Sequence, residues 1–236
     1  MVEKEDYQQV ARVPRSKDDA EKYYDRISVV YDWLGGIFER KYAKKALRYL
    51  EIEKGEIVLE IGFGTGHCLR QIALSVGQTG KAYGVDISDR MLQITRERLE
   101  KAGLMDRVEL SHGDASKLPF NNETFDAVFM SFTLELFDTP EIPKLLNEVW
   151  RVLKVKGRLG VTTLSRSKGN SLPIRIYEWI HRKWPKYVDC RPIYLEQTLH
   201  KADYTIQKSE KDKLLLLPLE IVVAIKNTQN SSGGSI

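Results

Sequence analysis

The run Val58-Leu59-Glu60-Ile61-Gly62-Phe63-Gly64-Thr65-Gly66-His67 places three glycines, each two residues from the next, directly behind an apolar stretch. Glycine lacks a Cβ and tolerates positive φ, so such a turn can bring main-chain N–H groups against a ligand at the start of a helix. Dinucleotide sites space their glycines Gly-x-Gly-x-x-Gly, the third one letting the helix pack close to a pyrophosphate. Here the spacing is Gly-x-Gly-x-Gly, and Glu60 stands two residues ahead of the first glycine. A carboxylate there is a poor neighbour for a pyrophosphate and a good one for a ligand with an amino group and a positive centre.

Two more carboxylates extend the pattern. Asp86, in Val85-Asp86-Ile87, lies twenty residues past Gly66, where an ionised carboxylate can accept both hydroxyls of a ribose. Nicotinamide dinucleotides and S-adenosylmethionine both carry that ribose, so Asp86 does not separate them. Asp114, in Gly113-Asp114-Ala115, can accept from an adenine amino group, while the small Ala115 leaves room for the ring and Ile87 supplies an apolar wall. Taken singly, an aspartate after a strand is as readily a turn former or helix cap. Together, beside a glycine turn, they describe one nucleoside-type pocket. The groups that could move a proton are His67, Glu135, Tyr31 and Tyr24. Each also has a plain structural reading, as helix surface, local cap or packing. His112, His181 and His200 read as structural.

These residues need a scaffold, and the hydrophobic pattern provides one. Short apolar runs, Ile57 to Ile61, Ala82 to Ile87, Val108 to Ser111, Phe125 to Phe132 and Arg158 to Leu164, read as strands. They alternate with amphipathic stretches, Thr65 to Val76, Asp89 to Ala102 and Pro140 to Leu153, that read as helices. Strands apolar throughout are covered on both faces, which predicts a doubly wound α/β domain on a mainly parallel, seven-stranded, Rossmann-like sheet. Residues 1–19 predict a disordered start and 20–54 two N-terminal helices broken at Gly35-Gly36, the second running from Arg40 to Leu50. Residues 165–193 read as a helical cap inserted over the carboxyl edge of the sheet. Within it Ile176, Tyr177, Ile180 and Trp184 are expected on one helix face, with Arg175, Arg182 and Lys186 opposite, and Pro185 should end the helix near Lys183. A helix from Tyr194 to Lys201 follows. Tyr204 to Leu217 and Leu219 to Ala224 then predict an antiparallel hairpin turning at Pro218, and 227–236 a flexible tail.

Composition excludes several classes of function. A formal charge of +4 over 236 residues gives no expectation of nucleic-acid binding. Two cysteines, Cys68 and Cys190, without CxxC spacing point to neither a disulfide framework nor a metal site, and fit a reducing cytoplasm. No run approaches the ~20 apolar residues of a membrane span. The stretch 174–184, with Trp179 and Trp184 among Arg and Lys, is nevertheless of the kind that can rest on an anionic membrane surface.

From Val58 to Leu164 the chain resembles the class I S-adenosylmethionine-dependent methyltransferases. Within them it is most similar to the ubiquinone/menaquinone C-methyltransferase branch. The likeness rests on Gly64-Thr65-Gly66, Thr79-Gly80-Lys81, Asp86-Ile87, Met91-Leu92, Asp114-Ala115, Leu118-Pro119-Phe120, Thr124-Phe125-Asp126, Ser131-Phe132, Arg151-Val152-Leu153-Lys154 and, upstream, Tyr31-Asp32. The resemblance implies S-adenosylmethionine as cofactor and one methyltransferase domain over 20–226. It implies Glu60, Gly62, Gly64, Thr65 and Gly66 around the methionine part, Asp86 at the ribose, Asp114 and Ala115 at the adenine, whose other face Ile87 walls, and Ser131 at the sulfonium. The expected acceptor is small or lipid-like, with a quinone-type ring carbon the most specific form and a phospholipid, amine or hydroxyl as alternatives. A nicotinamide-dependent oxidoreductase, a non-catalytic cofactor-binding subunit and a nucleic-acid methylase are the competing classes. After Ser131-Phe132 this chain reads Thr133-Leu134-Glu135-Leu136 where the quinone enzymes carry Gly and an Arg-Asn pair, a departure on the acceptor side.

Overall fold

The computed structural model describes Asp19 and residues 36–166, 172–183, 190–214 and 216–227. The expected loose start (Asp19 apart), the first N-terminal helix with Tyr24 and Tyr31, and the tail beyond Asn227 lie outside the described residues.

Seven strands form one sheet: β1 (Ile57–Ile61), β2 (Lys81–Asp86), β3 (Val108–His112), β4 (Phe125–Ser131), β5 (Leu153–Leu164), β6 (Tyr204–Leu214) and β7 (Leu217–Lys226). Their order across the sheet is β3-β2-β1-β4-β5-β7-β6. β1 to β5 run parallel, and β7 enters antiparallel between β5 and β6. Among the described residues six helices flank the sheet: α1 (Gly36–Leu50), α2 (His67–Val76), α3 (Asp89–Lys101), α4 (Ile142–Val152), α5 (Leu172–Lys183) and α6 (Leu195–Lys201). α1, α2 and α3 bury Ala46, Leu50, Leu69, Ile72, Met91 and Leu99 against the Val58, Ala82 and Phe129 face. On the other face α4 and α6 bury Leu145, Val149 and Leu199 against Leu59, Val128 and Leu159. This two-sided cover is why the central strands read as continuous apolar runs.

From β1 the chain first builds outward through β2 to β3, then crosses back to place β4 on the other side of β1. That reversal opens a crevice beyond the carboxyl ends of β1 and β4, the usual ligand position in open α/β sheets. The three sequence features, the glycine turn, Asp86 and Asp114, fall at the carboxyl ends of β1, β2 and β3 on the same edge of the sheet.

The structure corrects three expectations. β5 starts at Leu153, five residues earlier than expected, because Leu153 pairs with Phe125 although charged residues and Gly157 interrupt the apolar pattern. The last pair of the hairpin is Leu214 with Leu217, so the turn precedes Pro218, which is the second residue of β7 and faces Lys213. A proline is tolerated at a strand's start, where a missing N–H costs little, and its carbonyl accepts from the Ser165 N–H at 2.8 Å. In α5, Ile176 points outward beside Arg175, whereas Ile174 is buried. The helix is turned this way by Glu178, which reaches the buried Arg166 at 2.8 Å. Tyr177 is half-buried against the core as expected, and Ile180 and Trp184 lie outside the described side chains.

Candidate functional site

The glycine turn is held from several directions. The Gly62 N–H continues the sheet ladder to the Val85 carbonyl at 2.7 Å. Phe63 turns inward and fills the space above Gly84, where an added Cβ would lie 2.6 Å from its ring. The Gly66 N–H closes a tight turn onto the Phe63 carbonyl at 2.8 Å, and Gly66 then leads into α2 with φ 77°. From α3, the Thr95 hydroxyl donates to the Gly64 carbonyl at 2.8 Å, and the Arg98 guanidinium donates to the Thr65 carbonyl.

The three glycines are needed for different reasons. A Cβ on Gly62 would collide with Thr133, and one on Gly66 with Thr95, each at 2.5 Å. A Cβ on Gly64 would meet nothing within 4 Å, although its φ is 51°. Two glycines therefore answer to neighbouring protein atoms, and the middle one opens onto the crevice. Gly113, beside the expected adenine position, likewise faces open space.

Asp86 is buried. Its carboxylate accepts the Gly64 N–H at 2.8 Å and the Ser88 N–H at 3.0 Å, so it braces the glycine turn as well as bordering the crevice. Burial pushes its pKa up to about 6, opposed by these backbone donors. Ser88 caps α3 by accepting the Met91 N–H at 3.1 Å. Ile87 is half-buried, and its carbonyl lies 2.8 Å from the His112 ring. Asp114 folds back on Ser116, its Oδ1 accepting the Ser116 N–H at 2.9 Å and its Oδ2 the Ser116 hydroxyl at 2.5 Å, and Ala115 is buried beside it.

Glu60 carries the clearest sign of a missing partner. It is 2% exposed, and its Oε2 has no hydrogen-bond partner. Burial, and then the nearby Asp86 charge, push its pKa well above the ordinary carboxyl range. A buried polar oxygen without a partner costs about 1–3 kcal/mol, and a ligand ammonium beside it would remove that cost.

At the end of β4 the chain bends sharply. Phe132 adopts φ 53°, uncommon for a bulky side chain, and its N–H donates to the Thr162 carbonyl at 2.8 Å. The bend brings Thr133 over Gly62, with its hydroxyl on the Ser131 carbonyl at 3.1 Å. A short 3-10 turn, Leu134–Leu136, then carries Glu135 inward. Glu135 is fully buried, accepts weakly from the Leu164 N–H at 3.4 Å, and has no partner at Oε2. Burial raises its pKa to about 8. Ser131 thus ends β4 beside β1, while Glu135 is buried against the end of β5. His67 opens α2, half-buried.

Thr95, Arg98 and Thr133 carry no signal in local sequence spacing, because each acts on the turn from another element, and Phe63 carries none because its partner is Gly84 on the neighbouring strand. Other motif residues work away from the crevice. Arg151 donates to the Leu118 and Phe120 carbonyls at 3.0 and 2.7 Å, and Asp126 accepts the Ile57 N–H at 2.9 Å.

Residues 58–157 match the family described as "Methyltransferase domain". The demethylmenaquinone methyltransferases of Listeria welshimeri and Listeria monocytogenes are 32% identical over 154 residues, which cover 64% of this chain and 64% of theirs. This chain therefore spans just under two thirds of the length of those relatives. The demethylmenaquinone methyltransferase of Symbiobacterium thermophilum is 29% identical over 218 residues, 84% of this chain and 85% of that one. Among solved structures, an S-adenosylmethionine-dependent methyltransferase from Aquifex aeolicus superposes with a TM-score of 0.60 at 24% identity, covering 78% of this chain and 88% of its own. The [4+2]-cyclase SpnF superposes at 0.73 with 17% identity, covering 92% and 98%. The chain has the class I S-adenosylmethionine-dependent methyltransferase fold, with homology to demethylmenaquinone methyltransferases of several bacteria, and the cofactor of that fold is S-adenosylmethionine. The open face of Gly64 and the unpartnered Glu60 oxygen fit such a ligand, which has an ammonium to offer a carboxyl and a ribose to offer Asp86.

Proposed function

Taking that domain as premise, we propose that the chain is an S-adenosylmethionine-dependent methyltransferase of a small or lipid-like acceptor, and that the acceptor atom is a quinone-type ring carbon. The single observation that carries the cofactor half is Glu60, a buried carboxyl with an unpartnered oxygen on the floor of an open glycine turn. In this reading Glu60 holds the amino group, Gly62, Gly64, Thr65 and Gly66 border the methionine part, Asp86 the ribose, Asp114, Ala115 and Ile87 the adenine, and Ser131 lies toward the sulfonium. The acceptor half is supported by the demethylmenaquinone methyltransferases, whose name states their substrate.

When bound, S-adenosylmethionine supplies an electrophilic methyl group on a sulfonium. The protein's share is to aim the acceptor in line and exclude water, and orientation of this kind can lower a barrier by up to about 7–11 kcal/mol. A ring carbon becomes nucleophilic when a neighbouring ring hydroxyl gives up its proton. Glu135 is the group proposed to receive it: burial lifts its pKa to about 8, so the fraction that is ionised near neutrality is a stronger base toward a ring hydroxyl, with a pKa of ~10, than an ordinary carboxylate. His67 and Tyr31 remain lesser candidates for the same task.

Titration calorimetry with S-adenosylhomocysteine tests the cofactor half. Transfer of a labelled methyl group to reduced demethylmenaquinone, with the product located by mass spectrometry, tests the acceptor half. Binding of NADH in place of S-adenosylhomocysteine would overturn the reading. Cofactor binding without transfer to any lipid-extract component would instead favour a non-methylating use of the fold, as in the cyclase neighbour.

A further inference from the structure

We propose that His112 is a positioning residue for the adenosine half of the cofactor: its side chain ties the Ile87 wall to the Asp114–Ala115 wall and so fixes the width of the slot that takes the adenine. The role deepens the cofactor placement proposed above and rests on it. The two walls come from neighbouring connections. β2 ends at Asp86 and runs through Ile87 and Ser88 into α3, while β3 ends at His112 and runs into Gly113-Asp114-Ala115. Asp86 and His112 are the last pair of the β2–β3 ladder. Beyond the last pair of a parallel ladder each connection follows its own course, and its distance from the other is set by whatever bonds cross between them.

Two bonds cross here. The Gly113 N–H donates to the Asp86 carbonyl at 2.9 Å, a main-chain bond that every residue except proline could supply at 113. The other belongs to a side chain. Nε2 of His112 lies 2.8 Å from the Ile87 carbonyl. A carbonyl oxygen only accepts, so Nε2 is the donor and holds the proton of the neutral ring. The other ring nitrogen, Nδ1, lies 3.8 Å from the carboxylate of Asp89, the first residue of α3. The imidazole therefore sits between the Ile87 carbonyl and the start of the next helix. From the opposite side the same connection is tied to the glycine turn, because the Asp86 carboxylate accepts both the Ser88 and the Gly64 N–H. Ile87 thus stands between an anchor on β1 and an anchor on β3, and the buried Ala115 faces it from a segment that begins at His112 itself. A slot with both walls already fixed takes a flat ring without first ordering a loop, and its affinity gains by that saving.

Calorimetry with S-adenosylhomocysteine, and with 5′-methylthioadenosine, which keeps the adenosine and lacks the amino-acid part, tests the proposal. His112→Asn puts an amide near the place of Nδ1 and falls short of the Ile87 carbonyl, whereas His112→Gln carries an amide N–H out to the place of Nε2. The asparagine variant should bind both ligands about five- to tenfold more weakly, and the glutamine variant should bind both within about twofold of wild type. The side chain is 39% exposed, so neither substitution leaves a cavity in the core. Should the asparagine variant fold poorly in urea titration, an imidazole nitrogen NMR spectrum of the wild-type protein decides instead: the neutral ring should be the Nε2–H tautomer, and the Nδ1–H tautomer overturns the proposal. It is also overturned by an asparagine variant that binds like wild type, by a glutamine variant as weak as the asparagine one, or by a loss for S-adenosylhomocysteine that 5′-methylthioadenosine does not share. A wild type that takes S-adenosylhomocysteine and refuses 5′-methylthioadenosine overturns it too, since a preformed adenine slot binds adenosine alone. Wild-type protein that binds neither ligand ends the cofactor placement itself, whereas wild-type binding with an unaffected asparagine variant ends the role of His112 and leaves that placement standing.

Discussion

The two halves of the crevice are built differently. On the β1–β2 side the glycine turn is braced by Asp86, Thr95, Arg98 and Phe63, so its shape exists before any ligand arrives. On the β4–β5 side the chain bends through Phe132 in an uncommon conformation and buries a carboxyl, Glu135, that keeps an unpartnered oxygen. The first half is finished by protein atoms, apart from the one oxygen of Glu60. The second keeps its polar capacity in reserve, as a region that meets a variable partner must.

The largest test of that contrast is Asp86→Ala. Loss of a carboxylate that braces the turn and is proposed to hold the ribose should weaken S-adenosylhomocysteine binding by about 2–4 kcal/mol by calorimetry. Wild-type affinity should also decline as pH falls through about 6, because protonation of Asp86 removes its charge. Affinity that is flat between pH 7 and 5 would show that Asp86 is not in contact with the ligand.

Next come paired glycine substitutions. Gly66→Ala forces a Cβ onto Thr95 and should cost about 2–4 kcal/mol of stability in denaturant titration. Gly64→Ala meets no protein atom, so it should cost only about 1–2 kcal/mol of stability from its positive φ, yet lower cofactor affinity at least tenfold. The reverse ranking would mean that Gly64 does not face the ligand.

Glu135→Gln probes the reserve side. Glu135 titrates near 8 when folded and near 4.5 otherwise, so below 4.5 it is protonated in both states and contributes no pH dependence. Between those values the folded state keeps a proton the unfolded state has lost, and stability falls with rising pH at a slope approaching about 1.4 kcal/mol per unit. The glutamine variant should lack this fall and melt higher than wild type at pH 8, while binding S-adenosylhomocysteine within about twofold. Its methyl transfer should be slower by about a hundredfold if the carboxylate takes the acceptor's proton. The smallest effect is expected from His67→Ala, less than about 0.5 kcal/mol in cofactor affinity, as for a substitution outside the braced contacts.

The same contrast explains what could be read from the sequence. The glycine spacing, Glu60, Asp86 and Asp114 were legible because strand, turn and helix fix their places over short distances along the chain. The sheet was legible because both its faces are covered and its strands are short apolar runs. Thr95 and Arg98 were not, since each reaches a carbonyl more than thirty positions away and sits on an ordinary amphipathic helix. The direction in which Ile176 points was misjudged because a single ion pair, Glu178 with Arg166, overrides the helical wheel. The hairpin turn was misplaced because a proline was taken for the corner, when it stands just inside the strand.

One contact made by α1 bears on how the chain is assembled. Lys45 and Tyr49 both hold the Glu210 carboxylate of β6, and the Tyr42 hydroxyl donates to the Lys213 carbonyl at 2.6 Å, across 171 positions of sequence. During synthesis, α1 leaves the ribosome well before its partner strand exists, and at typical rates of ~5–20 residues per second it waits roughly 10–35 s. The far edge of the sheet can close only when the last strands arrive, so the final folding step is late, long-range and shared between the beginning and the end of the chain.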